Sequence, residues 1–411
     1  MVQRGSGTAI GTLGELKPDG KTVLLRLDLN SPIDPASNTI LDDKRFREHV
    51  PTIQALKNSK VVILTHQSRP GKKDFTSLEA HAEKLSHLIG KPVRYIDDIF
   101  GTCARETARD LHNGEVLMLE NVRFNAEENL ILKPEEAKKT HLVRKLSQMA
   151  DLFVNDAFGT AHRSQPTVVG LPYSMKSAAG LLMEKEVYTL SRVFTGAPRP
   201  VCMVLGGTKV DDSMAVARHV LEHNVADQVM VIGVVANVFL IAQGFDIGSP
   251  STQLIHQLNY EREIEHAKHL LSEFRSRIII PDWVAVREEN KRAEYPVSAI
   301  PKDAPVLDIG MEAIGTLCTI LNNAGTVVFN GPAGVFEEPD FASGTYELLK
   351  TASGVEFSVV GGGHTAAVIE KLGLDKKFTH ISTGGGACIE FLTGKKLPAV
   401  EALEQSKKLF G

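Results

Sequence analysis

Hydrophobic residues along the chain come in short unbroken runs rather than in strict alternation with polar residues. Typical runs are KTVLLRLDLN, SKVVILTHQSRPG, RPVCMVLGGTK and EFSVVGGGHTA, each followed by a polar or glycine-rich loop and then by a helix-length segment. Continuous apolar strands that alternate with helices are typical of parallel sheets covered on both faces. The pattern therefore predicts an α/β protein whose ligands bind beyond the carboxyl ends of its strands.

The predicted loops after these strands differ between the two halves of the chain. Those of the first half carry charged and polar residues, whereas those of the second half carry glycines. A helix-like stretch, AAGLLMEKEVYTLSRVF, separates the two sets, and 411 residues exceed what one hydrophobic core usually fills. We therefore predict one domain for a small anionic substrate and one for a nucleotide, joined by a helix that acts as a hinge.

Composition excludes several classes of protein. The chain is 43% hydrophobic and 23% charged, with a net charge of −4, so bulk charge suggests no nucleic-acid or membrane partner. The four cysteines are far apart and form no Cys-x-x-Cys pair, so we expect buried, reduced thiols. The N-terminal stretch has no apolar leader and no run is long enough to span a bilayer, which predicts a cytoplasmic protein.

Charged residues crowd the strand ends of the first half. Arg26, Asp28 and Asn30 alternate along one predicted strand and would share one face, although an edge strand with a solvated face would show the same pattern. His66 and Arg69 follow the next strand directly, in THQSRPG. Arginine clusters bind small polyanions through bidentate contacts, so these strand ends predict an anion site.

The stretch VNDAFGTAHRSQ is the densest of these segments. It brings Asn155, Asp156, His162 and Arg163 to one predicted strand end. His162 could act as a general base oriented by Asp156. However, no serine or cysteine lies in a nucleophile elbow, and the adjacent His162 and Arg163 fit anion binding better.

Glycine loops in the second half precede predicted helices. Lys209 follows two glycines in LGGTKVDDSM, without the P-loop spacing, and no GxGxxG follows the first strand. In SVVGGGHTAAVIEKLG the helix start has no capping residue, which suits either phosphate binding or a tight turn that needs positive φ. Glu337 of NGPAGVFE could accept hydrogen bonds from ribose, or could simply be favoured at a helix start.

Taken in order, these motifs resemble those of the phosphoglycerate kinase family, and of its archaeal branch most closely. VNDAFGTAHR and STGGGACIEFLTGKKLPAVEAL are long and specific, and the resemblance covers nearly the whole chain. It implies two Rossmann-like domains with parallel sheets, joined by a hinge helix. The implied segments are a phosphoglycerate-binding domain (1–180), the hinge helix (181–196), a nucleotide-binding domain (197–388) and a C-terminal segment that returns to the first domain (389–411).

The family resemblance also implies an activity of glycolysis and gluconeogenesis. It is the reversible, direct in-line transfer of a phosphoryl group between 1,3-bisphosphoglycerate and ADP, giving 3-phosphoglycerate and ATP, on closure of the hinge. The implied phosphoglycerate ligands are Asp28, Asn30, Arg45, His66, Arg69, Arg123, His162 and Arg163. The implied nucleotide ligands are Lys209, Glu337, Gly361, Gly362, Gly363, His364 and Thr365. Implied catalytic roles fall to Arg45, whose local sequence shows no such role, and to Lys209, Gly363 and Gly385.

Three positions depart from the family pattern. Ser68 replaces a common glycine, Ser213 replaces a second phosphate-binding lysine, and His364 replaces the aspartate that usually ligates Mg²⁺. Because Mg²⁺ prefers oxygen ligands and imidazole prefers softer metals, we expect no metal ligand from the protein and Mg²⁺ delivered with the nucleotide. The remaining alternatives are another acyl-phosphate kinase and a catalytically silent binding protein. The expected partners are small-molecule substrates, and the expected state is a monomer, with a dimer as the alternative.

Overall fold

The structure, a computed structural model, describes residues 10–411, which divide into two compact units. The first unit contains the residues up to Tyr188 together with Lys396–Gly411, and the second contains Thr189–Lys395. The first boundary therefore falls inside a helix, Leu181–Thr195. Residues 389–395, which the sequence assigned to the returning segment, belong with the second unit.

Seventeen strands lie within the described residues. They are β1 (Thr22–Arg26), β2 (Ile33–Asp34), β3 (Thr39–Ile40), β4 (Lys60–Leu64), β5 (Val93–Tyr95), β6 (Val116–Met118), β7 (Leu152–Asn155), β8 (Ser177–Ala179), β9 (Val201–Leu205), β10 (Gln228–Val231), β11 (Ile278–Ile279), β12 (Trp283–Glu288), β13 (Lys291–Pro296), β14 (Val306–Ile309), β15 (Thr326–Asn330), β16 (Phe357–Gly361) and β17 (His380–Ile381).

The α-helices of residues 10–411 mostly follow strands. They are α1 (Leu13–Leu16), α2 (Lys44–Ala55), α3 (Glu79–Ile89), α4 (Thr102–Asp110), α5 (Pro134–Ala137), α6 (His141–Leu146), α7 (Leu181–Thr195), α8 (Val210–Glu222), α9 (Gly233–Ala242), α10 (Ser249–Gln257), α11 (Glu261–Phe274), α12 (Met311–Asn322), α13 (Ser343–Ala352), α14 (Gly363–Lys371), α15 (Gly385–Leu392) and α16 (Pro398–Phe410).

The first unit is built on a six-stranded parallel sheet in the order β5-β6-β4-β1-β7-β8. Successive residues of its strands enter different cores: Val23 and Leu25 pack with residues of α2 and α3, whereas Leu24 packs with residues of α4 and α6. Both faces are therefore covered, as the unbroken apolar runs predict. Helix α16 packs in the same unit, where the amide of Ala399 donates to the carbonyl of Ala161 at 3.0 Å.

The second unit contains a six-stranded parallel sheet in the order β11-β10-β9-β15-β16-β17. The predicted fold class, α/β with parallel sheets, is thus confirmed in both units. The second unit also carries an antiparallel sheet, β13-β12-β14, which the sequence analysis missed. Strands β12 and β13 are joined by only two residues, Glu289 and Asn290. Their φ angles of 47° and 61° are those of the tight hairpin turns that join twisted strands.

The cysteines differ in exposure, contrary to the expectation from composition. Cys202 and Cys388 are buried, but Cys103 is exposed and Cys318 is half-buried, so the expectation of four buried thiols was wrong. None of the four cysteines forms a disulfide within residues 10–411. Among residues 10–411, none of the helices combines the length and apolarity needed to cross a bilayer.

Candidate active site

In the first unit, the carboxyl ends of the central strands bring the predicted anion-binding loops together. Arg26, the last residue of β1, is in register with Leu64 of β4 on one side and with Asn155 of β7 on the other. The loops that follow these strands carry most of the predicted substrate ligands. The parallel topology therefore assembles residues that are more than 100 positions apart in sequence.

Arg26 differs from the two residues that were predicted to share its face. Strand β1 ends at Arg26, so Asp28 and Asn30 lie in the loop beyond it rather than within the strand. The Arg26 side chain is fully buried and donates to Thr167 Oγ1 at 3.1 Å and to His66 Nδ1 at 3.2 Å. The strand is also central, so both the shared-face prediction and its edge-strand alternative were wrong.

The Asp28 carboxylate is ion-paired with Arg45, which arrives from α2. Asp28 is 5% exposed and the Arg45 side chain is 35% exposed. Burial would raise the pKa of Asp28, but the positive charges around it, the Arg45 guanidinium foremost, outweigh burial and hold that pKa below its usual range. Asn30 makes two hydrogen bonds in the loop. Its backbone N–H donates to Asp28 Oδ1 at 3.2 Å, and its side-chain Oδ1 accepts from the backbone N–H of Ser68 at 2.8 Å.

His66 is buried and electrically neutral at physiological pH. Burial and the neighbouring Arg26 guanidinium hold its pKa well below the ordinary histidine value. Because its Nδ1 accepts from Arg26, the proton lies on Nε2. His66 can therefore offer a neutral N–H donor but adds no positive charge to the cluster.

Arg123 is the most confined of the predicted arginines. Its guanidinium donates to the carbonyl of Ser68 and to Gln165 Oε1 at 3.3 Å. Burial, together with Arg163 and Arg26, lowers the pKa of Arg123 to about 10, so it stays charged at neutral pH. Its Nε is buried without a hydrogen-bond partner among residues 10–411.

The remaining predicted ligands of this unit are more open. Arg69 and Arg163 are exposed, and His162 is half-buried. Ser68, where the family resemblance leads one to expect glycine, has φ of 55°, a left-handed conformation that glycine adopts more readily. Its hydroxyl donates to Asp74 at 2.7 Å, which offers a compensating local contact.

His49 was missed by the sequence analysis. It lies one turn after Arg45 on α2 and is 2% exposed. Its Nδ1 is 2.8 Å from Asp156 Oδ2, and its Nε2 accepts the backbone N–H of Asp28 at 3.2 Å. The other oxygen of Asp156 accepts from the amides at the start of α7, so the structure gives Asp156 different partners from the predicted His162. The spacing of Arg45 and His49 was the available signal.

In the second unit, the glycine loops meet at the carboxyl edge of the sheet. Leu205, Asn330 and Gly361, at the ends of β9, β15 and β16, are in register. The amide of Gly206 donates to the carbonyl of Asn330 at 2.8 Å. Three loop glycines have a positive φ, a backbone conformation that favours glycine over other residues. They are Gly207 (φ 75°), Gly331 (φ 86°) and Gly362 (φ 89°).

Gly363 and Gly385 differ from those loop glycines. Each is the first residue of a helix, α14 and α15, and neither has a positive φ. A Cβ atom added at either position would meet no described atom within 4 Å. The predicted turn with positive φ is therefore found at Gly362, whereas neither backbone conformation nor packing requires glycine at 363 or 385. Close approach of a ligand to the helix amides would explain both.

The other predicted nucleotide ligands come from three separate parts of the second unit. Lys209 is exposed and immediately precedes α8. Thr365 is buried and accepts the amide of Gly331 at 3.2 Å. Glu337 is exposed in a turn rather than at an α-helix start, so the helix-dipole alternative for it was wrong. His364 is exposed, and its ring lies edge-on to that of Phe336 with 6.0 Å between centroids.

The protein groups of residues 10–411 do not suit a dedicated Mg²⁺ cage. No three His, Cys, Asp or Glu side chains of this range are placed to hold a metal ion together. Ser213, where the family resemblance leads one to expect a second lysine, is 2% exposed, and its Oγ has no hydrogen-bond partner in the described part of the chain.

Comparison with known proteins decides the family. The phosphoglycerate kinase family model matches residues 13–395. The chain belongs to the phosphoglycerate kinase family. It is 65% identical to the phosphoglycerate kinase of Methanocorpusculum labreanum over 98% of this chain and 99% of that one. It is 47% identical to that of Methanothermus fervidus, over 97% of both chains.

Solved phosphoglycerate kinase structures support the same assignment. The phosphoglycerate kinase from Pyrococcus horikoshii OT3 superposes with a TM-score of 0.90 at 43% identity and covers 97% of this chain and 100% of that chain. That from Coxiella burnetii gives a TM-score of 0.78 at 32% identity and covers 96% and 99%. The resemblance read from the motifs is thereby confirmed, together with the two-domain α/β fold and the prediction of a kinase.

Proposed function

We propose that the chain catalyses reversible transfer of a phosphoryl group between 1,3-bisphosphoglycerate and Mg-ADP, giving 3-phosphoglycerate and Mg-ATP. Family membership supports this activity, since phosphoglycerate kinase is the name of both the family and its similar relatives. The structural observation that carries it is the pair of helix starts at Gly363 and Gly385, where glycine has no role in the fold but leaves the amides open to phosphate.

The first unit binds phosphoglycerate in this proposal. Arg123, Arg69 and Arg163 neutralise the phosphate and carboxylate groups. Asp28 and Asn30 accept from the substrate hydroxyl and shape the loop, while His66 and His162 offer imidazole nitrogens. Arg45, held by Asp28, faces the phosphoryl group that moves.

The second unit binds the nucleotide. Gly361, Gly362 and Gly363, with His364 and Thr365, surround the phosphates at the start of α14. Lys209 contacts the phosphates or the moving group, and Gly385 brings the amides of α15 to the transferring phosphoryl. Glu337 accepts from the ribose hydroxyls. Mg²⁺ rides on the nucleotide phosphates and water, because Mg²⁺ prefers oxygen ligands and often keeps its waters.

Transfer is in line and needs no covalent enzyme intermediate. An acyl phosphate is already activated, so positioning and charge neutralisation carry the reaction rather than a strong base. The two substrates bind to different units, so α7 acts as a hinge helix that lets the units close around them and exclude water. The enzyme works in glycolysis and gluconeogenesis in the cytoplasm as a monomer, with small molecules as its partners.

A coupled assay tests the proposal against its alternatives. 3-Phosphoglycerate and Mg-ATP are supplied with a dehydrogenase that consumes the acyl phosphate product and oxidises NADH. Oxidation that depends on 3-phosphoglycerate supports the proposal. Oxidation or ADP formation only with other small carboxylic acids would favour another acyl-phosphate kinase, whereas ligand binding without turnover of any acid would favour a silent binding protein.

A further inference from the structure

One face of helix α2 carries three polar side chains in a row. Arg45, His49 and Thr52 are spaced i, i+4 and i+7, which places them on the same side of the helix. His49 and Thr52 are buried, with 2% and 0% exposure, and Arg45 is partly open at the end of the row. A buried polar stripe on a helix needs partners, and each of these side chains has one in the first unit.

The three contacts lead from the proposed substrate site to another helix. Arg45 ion-pairs with the Asp28 carboxylate. His49 accepts the backbone N–H of Asp28 and contacts the carboxylate of Asp156. Thr52 Oγ1 accepts the amide of Leu181, the first residue of α7, at 3.0 Å.

The Asp156 carboxylate also accepts hydrogen bonds from backbone amides at the start of α7. Asp156 Oδ1 accepts from the amides of Leu182 at 2.9 Å and Met183 at 3.2 Å. A carboxylate at this position satisfies helix donors that have no partner within the helix and complements the positive end of its dipole. The boundary between the two compact units falls inside this helix, between Tyr188 and Thr189.

We infer that His49 is a positioning residue that links the Asp28–Arg45 pair to the start of α7. Ligand binding at the pair shifts the Asp28 segment, and His49 transmits that shift to Asp156 and the first turn of α7. The inference rests on the proposed function, because phosphoglycerate is the ligand that engages Asp28 and Arg45. Helix α2 then connects the substrate site to the hinge helix α7.

The hydrogen-bond chemistry makes imidazole specific for this link. Nε2 accepts from an amide, so the proton lies on Nδ1 and is donated to Asp156. Asparagine at position 49 can replace the Nδ1 donor with its own amide but is too short to accept from Asp28. Asp156→Asn disturbs the other side of the link. An asparagine amide that faces Nδ1 would favour a proton on Nε2, and that N–H would then face the backbone N–H of Asp28 instead of accepting from it.

The test follows amide exchange in the first turn of α7, residues 181–184, in the full-length enzyme with and without 3-phosphoglycerate. The variants are His49→Ala, His49→Asn and Asp156→Asn. Ile53→Val is the matched control, since Ile53 is a buried core residue of the same helix, and its loss of a methyl group lowers stability without touching the stripe. Steady-state kcat and KM for 3-phosphoglycerate are measured alongside.

Wild type and Ile53→Val should show exchange in this turn slowed about tenfold by 3-phosphoglycerate, a typical size for coupling between sites. His49→Ala should exchange faster than wild type without ligand, and should lose most of the ligand effect. His49→Asn should keep the ligand-free protection but lose the ligand effect. In His49→Ala, His49→Asn and Asp156→Asn alike, kcat should fall more than KM rises.

Two outcomes would overturn the inference. One is a His49→Ala enzyme whose α7 exchange responds to 3-phosphoglycerate as wild type does. The other is an equal loss of response in Ile53→Val, which would show a general effect of stability. Failure of the proposed function is separate and visible in wild type alone, as absence of both 3-phosphoglycerate binding and turnover; that result would overturn both statements.

Discussion

Arg45 on helix α2 is ion-paired with Asp28, which lies 17 residues earlier in the loop that follows β1. The pair is asymmetric: the carboxylate is buried, and a third of the arginine side chain stays open. A buried carboxylate held ionised by its partner fixes the guanidinium and leaves part of it for a ligand. This geometry suits an arginine that must be oriented before substrate arrives.

Removing that guanidinium should affect turnover more than binding. We expect Arg45→Ala to lower kcat by about 10³-fold, since an arginine directed at a transferring phosphoryl group acts mainly in the transition state. Arg47→Ala is the matched control: it removes a guanidinium from the same helix, where Arg47 is 67% exposed and pairs with Asp43. An Arg45→Ala enzyme with only a raised KM would contradict the role in transfer.

Arg123 should contribute to binding through its planar fork rather than through charge alone. Arg123→Lys keeps the positive charge but cannot reproduce the guanidinium geometry that contacts Ser68 and Gln165 at once. We expect about a tenfold rise in KM for 3-phosphoglycerate with kcat largely kept, as for the loss of about 1.4 kcal/mol of uniform binding. Arg94→Lys, at an exposed position of β5, should leave both constants unchanged.

The glycines at the two helix starts can be tested against a glycine inside a helix. Gly363→Ala and Gly385→Ala should fold normally, because the added Cβ meets no described atom within 4 Å. Gly363→Ala should raise KM for Mg-ADP, and Gly385→Ala should lower kcat, each by about tenfold or more, since a single transition-state donor can be worth 10²–10³.

Gly315→Ala provides the control for those two variants. Gly315 lies within α12, and a Cβ there also meets nothing within 4 Å. Alanine at this site should raise the free energy of unfolding by up to about 1 kcal/mol without changing activity. If Gly363→Ala and Gly385→Ala behave like Gly315→Ala in the assay, then the helix amides do not bind phosphate closely.

His364 should not be the residue that holds Mg²⁺. Its ring is exposed and lies against Phe336, and imidazole is a poor ligand for Mg²⁺. In ADP titrations with and without Mg²⁺, His364→Ala should keep most of the effect of the metal on affinity. His364→Asp should enlarge that effect by supplying an oxygen ligand. Loss of the Mg²⁺ effect in a folded His364→Ala protein would show that the histidine does hold the metal.

Acid should destabilise the fold through a buried histidine outside the site. Burial lowers the pKa of His81 from its ordinary value of 6.5 to about 4. Between pH 6.5 and 4 the histidine is therefore protonated in the unfolded chain but neutral in the folded one. Stability therefore falls as pH falls through this window, by about 2 kcal/mol from His81 at pH 5. His66, whose pKa is also lowered by burial, acts in the same direction.

His81→Gln should remove that part of the pH dependence. Glutamine cannot take up the proton and can still donate to Gln67 Oε1, which His81 Nε2 contacts at 3.1 Å. Urea unfolding at pH 7 and pH 5 should show a smaller loss of stability for His81→Gln than for wild type. The exposed His112→Gln should lose as much as wild type, and an equal loss in both variants would argue against His81 as the cause.

The sequence predicted what depends on local pattern and on parallel topology. Unbroken apolar runs indicated sheets covered on both faces, and strand ends indicated where Asp28 and His66 would gather. Contacts across the chain were not predictable from the pattern. The ion pair of Arg45, the burial of Arg26 and the bridge made by His49 depend on which strand lies beside which, and the alternation of Arg26 with Asp28 gave no sign that β1 ends between them.

Helix α16 packs in the first unit although Lys396–Gly411 follow the whole of the second. Ser406 donates to the carbonyl of Met175 at 3.1 Å, and Lys407 pairs with Glu15 at 3.1 Å. During synthesis the ribosome therefore releases all the strands of the first unit long before the helix that completes its packing. The last residue of the second unit, Lys395, lies only three residues before α16, so the two units reach their full sequence almost together although the strands of the first were made much earlier.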